Sequence, residues 1–260
     1  MDYCDSDRRF GGLARLYGRA ALQRFKDAHV CVIGIGGVGS WAVEALARSA
    51  IGKLTLIDMD HVAESNINRQ LPAMTENLGK SKIVVMADRC MAINPDCEVQ
   101  LIDDYIEAQN LPEYISNQFD YVIDCIDNFR TKAALADYCK QQHIALIMIG
   151  GAGGRIDPTC IKNTDLSRSE QDPLLAKTRA LLRQDYGFSR NPKKKFGIDS
   201  VWSEEQMRYP TADGGTSLQK PATRNTSSLN CGGLGSSMPV TSSFAQIAVA
   251  HVLRKLSNGT

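Results

Sequence analysis

Residues 30–62, VCVIGIGGVGSWAVEALARSAIGKLTLIDMDHV, leave this chain little choice of fold. An apolar, β-branched run meets a glycine turn, an Ala- and Leu-rich helical stretch follows, and a second apolar run ends at Asp58. Gly34, Gly36 and Gly39 satisfy GxGxxG, Gly37 adds a fourth glycine, and Asp58 follows by the roughly 20 residues that separate glycine turn and acid in a dinucleotide fold. The first glycine permits the tight turn, the second lets backbone N–H groups approach a phosphate, and the third lets helix pack on strand. The helix dipole then favours an anion at the turn. These features predict a site for a ligand with a phosphate and a sugar.

The rest of the first half repeats the alternation. Residues 8–26 have the apolar spacing of a single amphipathic lead-in helix. GKSKIVVMADRCMAIN predicts a helix stopping before Pro95, residues 98–103 a third strand, and residues 111–117 a short helix. YVIDCID predicts a fourth strand, NFRTKAALADYCKQQ a helix and ALIMIGGAGG a fifth strand. Strands alternating with helices give a doubly wound, mostly parallel α/β sheet, Rossmann-like, with ligands at the carboxyl ends of strands. Residues 1–153 form this core. Residues 154–260 are expected to continue it, with Asp172 and Pro173 capping a helix, a loop-rich excursion over 186–228, and a terminal helix, MPVTSSFAQIAVAHVLRKL, suited to a core or subunit interface.

Composition excludes more than it selects. Thirty Lys and Arg oppose 29 Asp and Glu among 260 residues, so any nucleic-acid surface must be local. The eight cysteines are scattered, several in apolar runs, and no pair has CxxC spacing, which predicts buried thiols and no zinc site. The first ten residues, MDYCDSDRRF, lack the apolar stretch of a secretory leader, and the terminal helix is interrupted by Ser242, Ser243, Gln246 and His251. A cytoplasmic protein is expected.

A glycine loop alone is shared by nicotinamide, flavin and SAM enzymes, so its surroundings decide. Asp58 lies in LIDMD. Asn66 follows eight residues later, with Arg69 and Gln70 in SNINRQ, Lys82 in GKSK and Asp127 in DCIDN. The constellation resembles the ubiquitin-activating-like family, which includes bacterial enzymes that adenylate sulfur-carrier proteins. The resemblance implies ATP as cofactor, with Gly34, Gly36, Gly37 and Gly39 as the phosphate loop and Asp58 on the ribose. Asp60 and Gln70 join the nucleotide site, Asn66, Arg69 and Lys82 hold the polyphosphate, and Asp127 is the Mg²⁺ ligand. Arg69, Lys82 and Asp127 would carry the catalysis. The chemistry agrees: attack of a carboxylate on the α-phosphorus needs negative charge neutralised on nucleophile and leaving pyrophosphate, which Arg, Lys and Mg²⁺ supply. Asp124 is expected to be structural. Family members also use an arginine from the lead-in segment of a partner subunit, for which Arg9 and Arg15 both remain candidates.

The paired CxxC motifs of the sulfur-carrier enzymes are missing. At the same time RFGGLARLYG, CVIGIGGVGSWAVEALARS, LTLIDMDHV, GGAGGRIDPT and QDPLLAK resemble, nearly end to end, the bacterial tRNA threonylcarbamoyladenosine dehydratases. That resemblance implies adenylation of the modification's carboxylate at position 37 of tRNA, ring closure by its own carbamoyl group, and no enzyme nucleophile; Cys231, in NCGGLGSS, reads as a small thiol packed among glycines or as a nucleophile, packing being the commoner case. It implies the anticodon loop as partner and a homodimer, and admits a cysteine desulfurase or sulfur acceptor. Lys193, Lys194 and Lys195 are candidates for RNA phosphates, Phe196 and Trp202 for stacking a base, and Arg155 for the substrate carboxylate or the RNA. A sulfur-carrier adenylyltransferase, a non-catalytic nucleotide-binding adaptor and a nicotinamide dehydrogenase are the competing readings.

Overall fold

The computed structural model describes residues 5–220 and 233–259. Gly18 divides the lead-in segment. Its φ of 90° lies in the left-handed region, so the continuous helical period is broken into α1 (Ser6–Tyr17) and α2 (Arg19–Asp27). There follow β1 (His29–Ile33), α3 (Gly39–Arg48), β2 (Lys53–Ile57), α4 (Lys82–Ile93), β3 (Glu98–Ile102), α5 (Leu111–Tyr114), β4 (Tyr121–Asp124), α6 (Phe129–Gln141) and β5 (Leu146–Ile149). The second half contributes β6 (Ile161–Asp165), α7 (Pro173–Asp185), β7 (Asp199–Ser203), a small hairpin of β8 (Tyr209–Pro210) and β9 (Thr216–Ser217), and α8 (Met238–Asn258).

Seven strands make one sheet in the order β3-β2-β1-β4-β5-β7-β6, parallel except for the β6–β7 pair at one edge. The chain moves outward from β1 in one direction through β2 and β3 and then in the other through β4 and β5. A crevice opens outside the carboxyl ends of the strands where the direction reverses. Period-2 alternation divides the core. Val30, Val32, Leu54 and Leu56 pack with Leu46, Met86, Phe244 and Ala248 on one face; Cys31, Ile33, Val122 and Met148 pack with Leu111, Leu135, Leu175 and Leu182 on the other. Each fully buried side chain of this size contributes about 1.5–3 kcal/mol.

The strand β7 falls inside the predicted loop-rich excursion, and β6 lies in a stretch for which the sequence predicts no element. Residues IKNTD of β6 mix charged and polar side chains because it is a half-exposed edge, and DSVWS of β7, though buried from Ser200 to Ser203, carries an aspartate and two serines, so neither alternation nor an apolar run marks them. The predicted cap at Asp172 is present: its Oδ1 accepts the Leu175 N–H at 3.0 Å, with Pro173 in the first turn of α7. The terminal helix α8 buries Val240, Phe244, Ala248 and Val252 against α2, α3 and the sheet, leaving Met238, Gln246, Ala250 and Arg254 exposed. Its apolar face thus serves the chain's own core rather than a free interface. No described helix is long and apolar enough to cross a membrane.

Candidate active site

The crevice is a cavity of about 330 Å³. Its floor is the turn between β1 and α3. Gly34 has φ 85°, and a Cβ there would lie 3.0 Å from the Cys125 carbonyl oxygen; a Cβ at Gly39 would lie 1.8 Å from the Gly34 carbonyl oxygen, so α3 can pack on β1 only through glycine. The Ile35 N–H donates to Asp58 Oδ2 at 2.5 Å, while the N–H groups of Gly36, Gly37 and Val38 meet no acceptor among the described residues. Successive free amides at a helix N-terminus make an anion cradle. Gly34, Gly36 and Gly37 line the cavity; Gly39 lies behind it as the contact between helix and strand.

Asp58, just past β2, is fixed by the Ile35 N–H and by the Asp60 N–H on its Oδ1 at 2.8 Å. Burial raises its pKa, and the Lys82 cation and the two backbone bonds oppose that rise. Lys82, the first residue of α4, is almost wholly buried and places Nζ 2.8 Å from Asp60 Oδ2. Asp60 Oδ1 also accepts the Tyr105 hydroxyl at 2.9 Å. Burial pushes the Asp60 carboxyl up, but the Lys82 and Tyr105 hydrogen bonds outweigh it and hold the group below the usual carboxylate range. Tyr105 and Asp104 line the cavity from the loop after β3. Neither stands out in the sequence, although a polar, aromatic loop at a strand's carboxyl end is where ligands bind in such sheets.

Arg69 and Gln70 line the wall beside the glycine turn. Arg69 is anchored through its carbonyl by the Trp41 indole N–H at 3.0 Å, and its Nη1 donates to the Ser65 carbonyl and Asn68 Oδ1. Its Nε and Nη2 make no bond among the described residues. Gln70 is buried, and its Oε1 has no hydrogen-bond partner among them. A buried orphan acceptor in a cavity wall is open to a donor from a ligand or a water. Asn66 is not a wall residue. Its Oδ1 accepts the Ala63 N–H at 3.1 Å and closes a short turn outside the cavity. Asp127 is exposed, lines the cavity beyond β4 and makes no ion pair or hydrogen bond among the described residues. Asp124 instead is fully buried, 2.9 Å from Lys132 Nζ, a structural tie between β4 and α6.

The opposite wall is the glycine turn after β5 together with α7. Gly150, Gly151, Gly153, Asp172, Pro173 and Leu174 line it. Asp172 Oδ2 accepts the Gly151 N–H at 2.9 Å, and Gly154 exchanges backbone bonds of 2.7 Å with Gly235 and Arg208. Arg155 neither lines the cavity nor reaches the surface. Only 2% exposed, it donates to the carbonyls of Gly151, Gln171 and Glu205, tying three loops together. A glycine-flanked arginine at a strand end has the sequence of a ligand contact; burial against carbonyls makes it a strut for the wall.

Phe196 and Trp202 are likewise no base-stacking surface, being 2% and 5% exposed within the core. Lys193, Lys194 and Lys195 are exposed, but they precede β7, at the amino ends of the strands, where the Phe196 carbonyl accepts Lys140 Nζ at the far end of α6. At 1.5 Å per residue, the 11 steps from Phe129 to Lys140 put them about 16 Å from the cavity end of that helix. Arg9 donates to the carbonyls of Ala92 and Ile93 and closes the end of α4; neither it nor Arg15 lines the cavity of its own chain. Cys231 lies outside the described residues. Cys90, Cys97, Cys125 and Cys139 are thiols whose pKa burial pushes up to between about 11 and about 12, so none is a thiolate nucleophile.

No group of three or more His, Cys, Asp or Glu capable of holding a metal is found among the described residues.

Known proteins agree with the geometry. The sequence pattern of the ThiF family matches residues 10–259. A Haemophilus influenzae protein named tRNA threonylcarbamoyladenosine dehydratase is 52% identical over 96% of this chain and 94% of its own length, and the Escherichia coli protein of that name is 50% identical over 96% and 93%. The crystal structure of the Escherichia coli dehydratase in complex with ATP superposes with a TM-score of 0.86 at 46% identity, covering 99% of this chain and 97% of that one. The chain belongs to the ThiF family, in the branch of the tRNA threonylcarbamoyladenosine dehydratases.

Proposed function

We propose that this protein uses ATP to dehydrate threonylcarbamoyladenosine at position 37 of tRNA, closing it into its cyclic form. The carrying observation is that one cavity collects the glycine amides, Asp58, Arg69, Gln70, Lys82 and Asp127 in a chain half identical to enzymes so named. ATP lies with its ribose on Asp58 and its phosphates over the free amides of Gly36 to Val38, and Arg69 and Lys82 neutralise the polyphosphate. A carboxylate oxygen of the modification attacks the α-phosphorus, the bond to the β,γ-phosphates breaks, and pyrophosphate leaves. The carbamoyl group then attacks the acyl carbon, gives up a proton and expels AMP, so the RNA loses one water. Proximity within the substrate supplies much of the second step, and no protein nucleophile is needed.

The Asp127 carboxylate, unpaired among the described residues, fits the one or two carboxylates by which Mg²⁺ is held when it arrives with a nucleotide, and the ion would supply charge neutralisation on the leaving group. We keep a cytoplasmic homodimer in this reading; the exposed Val84 and Met91 of α4 and Leu16 of α1 support an interface there better than α8 does.

The position of the lysine run gives it a subordinate part. Reversing the charges of Lys193, Lys194 and Lys195 is expected to weaken RNA binding and to flatten its salt dependence by about 1 in slope for each phosphate no longer neutralised, leaving ATP affinity intact. Titrations at several salt concentrations check this; an unchanged slope would put the RNA phosphates elsewhere. The reading as a whole is tested by incubating protein, ATP, Mg²⁺ and tRNA bearing the linear modification, and comparing it with a sulfur-carrier protein as acceptor.

A further inference from the structure

Beside the cavity mouth is a cluster the reaction above does not use. Two residues after Asp127, Phe129 opens α6 with its ring half-buried. The Arg130 guanidinium carbon lies 5.1 Å from the ring centroid, and Lys177 Nζ lies 5.4 Å from it. Asn128 fixes the start of the helix by accepting the N–H groups of Arg130 and Thr131. Lys177 stands one turn beyond Pro173 and Leu174, which line the cavity. Arg130 is exposed, and its guanidinium donates no hydrogen bond among the described residues. An exposed guanidinium held by cation–π attraction beside a phenyl ring can present a planar face and its N–H edge to an incoming base.

We infer that Phe129, Arg130 and Lys177 form a stacking subsite for the unpaired base of the nucleotide next to the reactive nucleoside. This rests on the reading that RNA is the substrate. Single-stranded RNA is read by aromatic and guanidinium planes, and an adenylation site needs the neighbouring base drawn aside for the modified one to enter. The base stacks on Arg130, Phe129 holds that guanidinium flat, and Lys177 meets the adjoining phosphate. The exposed lysine run cannot take this role, since it lies at the other end of the sheet.

The test uses an anticodon stem-loop bearing the linear modification, with 2-aminopurine placed on one side or the other of the reactive nucleoside. Wild-type protein quenches the probe at one of the two positions. R130A and R130K both abolish that quenching and raise KM for the stem-loop about tenfold, the loss appearing in KM rather than kcat. Lysine keeps the charge without the plane, so R130K behaving as wild type, or quenching that survives in R130A, overturns the subsite. Circular dichroism verifies that both variants fold. Should wild-type protein quench the probe yet remove no water from the RNA, the reaction reading fails while the subsite stands; should it remove water with no quenching at either position, the subsite alone fails.

Discussion

Asp127→Ala is expected to lower tRNA-dependent exchange of pyrophosphate into ATP by about 10³-fold, corresponding to about 4 kcal/mol of transition-state stabilisation. The expectation follows from position. Asp127 is an exposed carboxylate in the cavity wall with no partner among the described residues, and in the proposed reaction it would hold the Mg²⁺ that comes with the nucleotide. Because it is exposed and makes no hydrogen bond or ion pair among the described residues, the variant should melt at the wild-type temperature. Full exchange activity in a folded Asp127→Ala protein would remove this residue from the mechanism. Loss of activity together with a lowered melting temperature would make its role structural.

Lys132→Met should do the opposite, costing stability first. Lys132 and Asp124 are both completely buried, with Nζ 2.9 Å from Oδ2 and 3.2 Å from the Asp124 carbonyl oxygen. Removing the cation strands a carboxylate in the core, which costs about 3–5 kcal/mol, or a fall of about 10 °C in melting temperature for a chain of this size. Burial raises the Asp124 pKa and Lys132 opposes the rise. Without Lys132 the carboxyl is pushed further up and is protonated when folded at a pH where the unfolded chain has lost that proton. Stability of the variant then falls as pH rises above the ordinary carboxylate range, so the deficit is largest near neutrality and shrinks toward pH 4. Adding Asp124→Leu removes the stranded charge and should recover most of the loss. A deficit independent of pH would contradict the buried-pair account.

What can be read in the sequence is whatever repeats a local rule. The glycine turn, the strands around it and the acidic residue closing the second one are visible because each residue has a separate steric or electrostatic task. The cap at Asp172 is visible for the same reason. The strands β6 and β7 are not: β6 is an edge strand whose Lys162, Asn163 and Asp165 have no apolar period to betray it, and the buried β7 carries Asp199, Ser200 and Ser203 in place of an apolar run. The division of α1 from α2 rests on one left-handed glycine inside an unbroken helical period. Within the site, Asp58, Arg69 and Lys82 are separated by loops of ordinary composition, and only the resemblance to known adenylating enzymes links them before the fold does. Arg155, Phe196 and Trp202 show the converse. Their residue types suit RNA, but burial is set by contacts from distant segments, and these put all three inside. Tyr105 escapes notice because a lone tyrosine in a loop carries no pattern; its value comes from Asp60, 45 positions earlier, reached only through the parallel pairing of β2 and β3.

The most direct measurement is the mass of the RNA after reaction. Purified protein, ATP, Mg²⁺ and tRNA carrying the linear modification should yield nucleoside lighter by one water, with one AMP and one pyrophosphate per RNA converted. RNA of unchanged mass in the presence of bound ATP, or AMP transferred stably to a protein acceptor instead, would contradict the account.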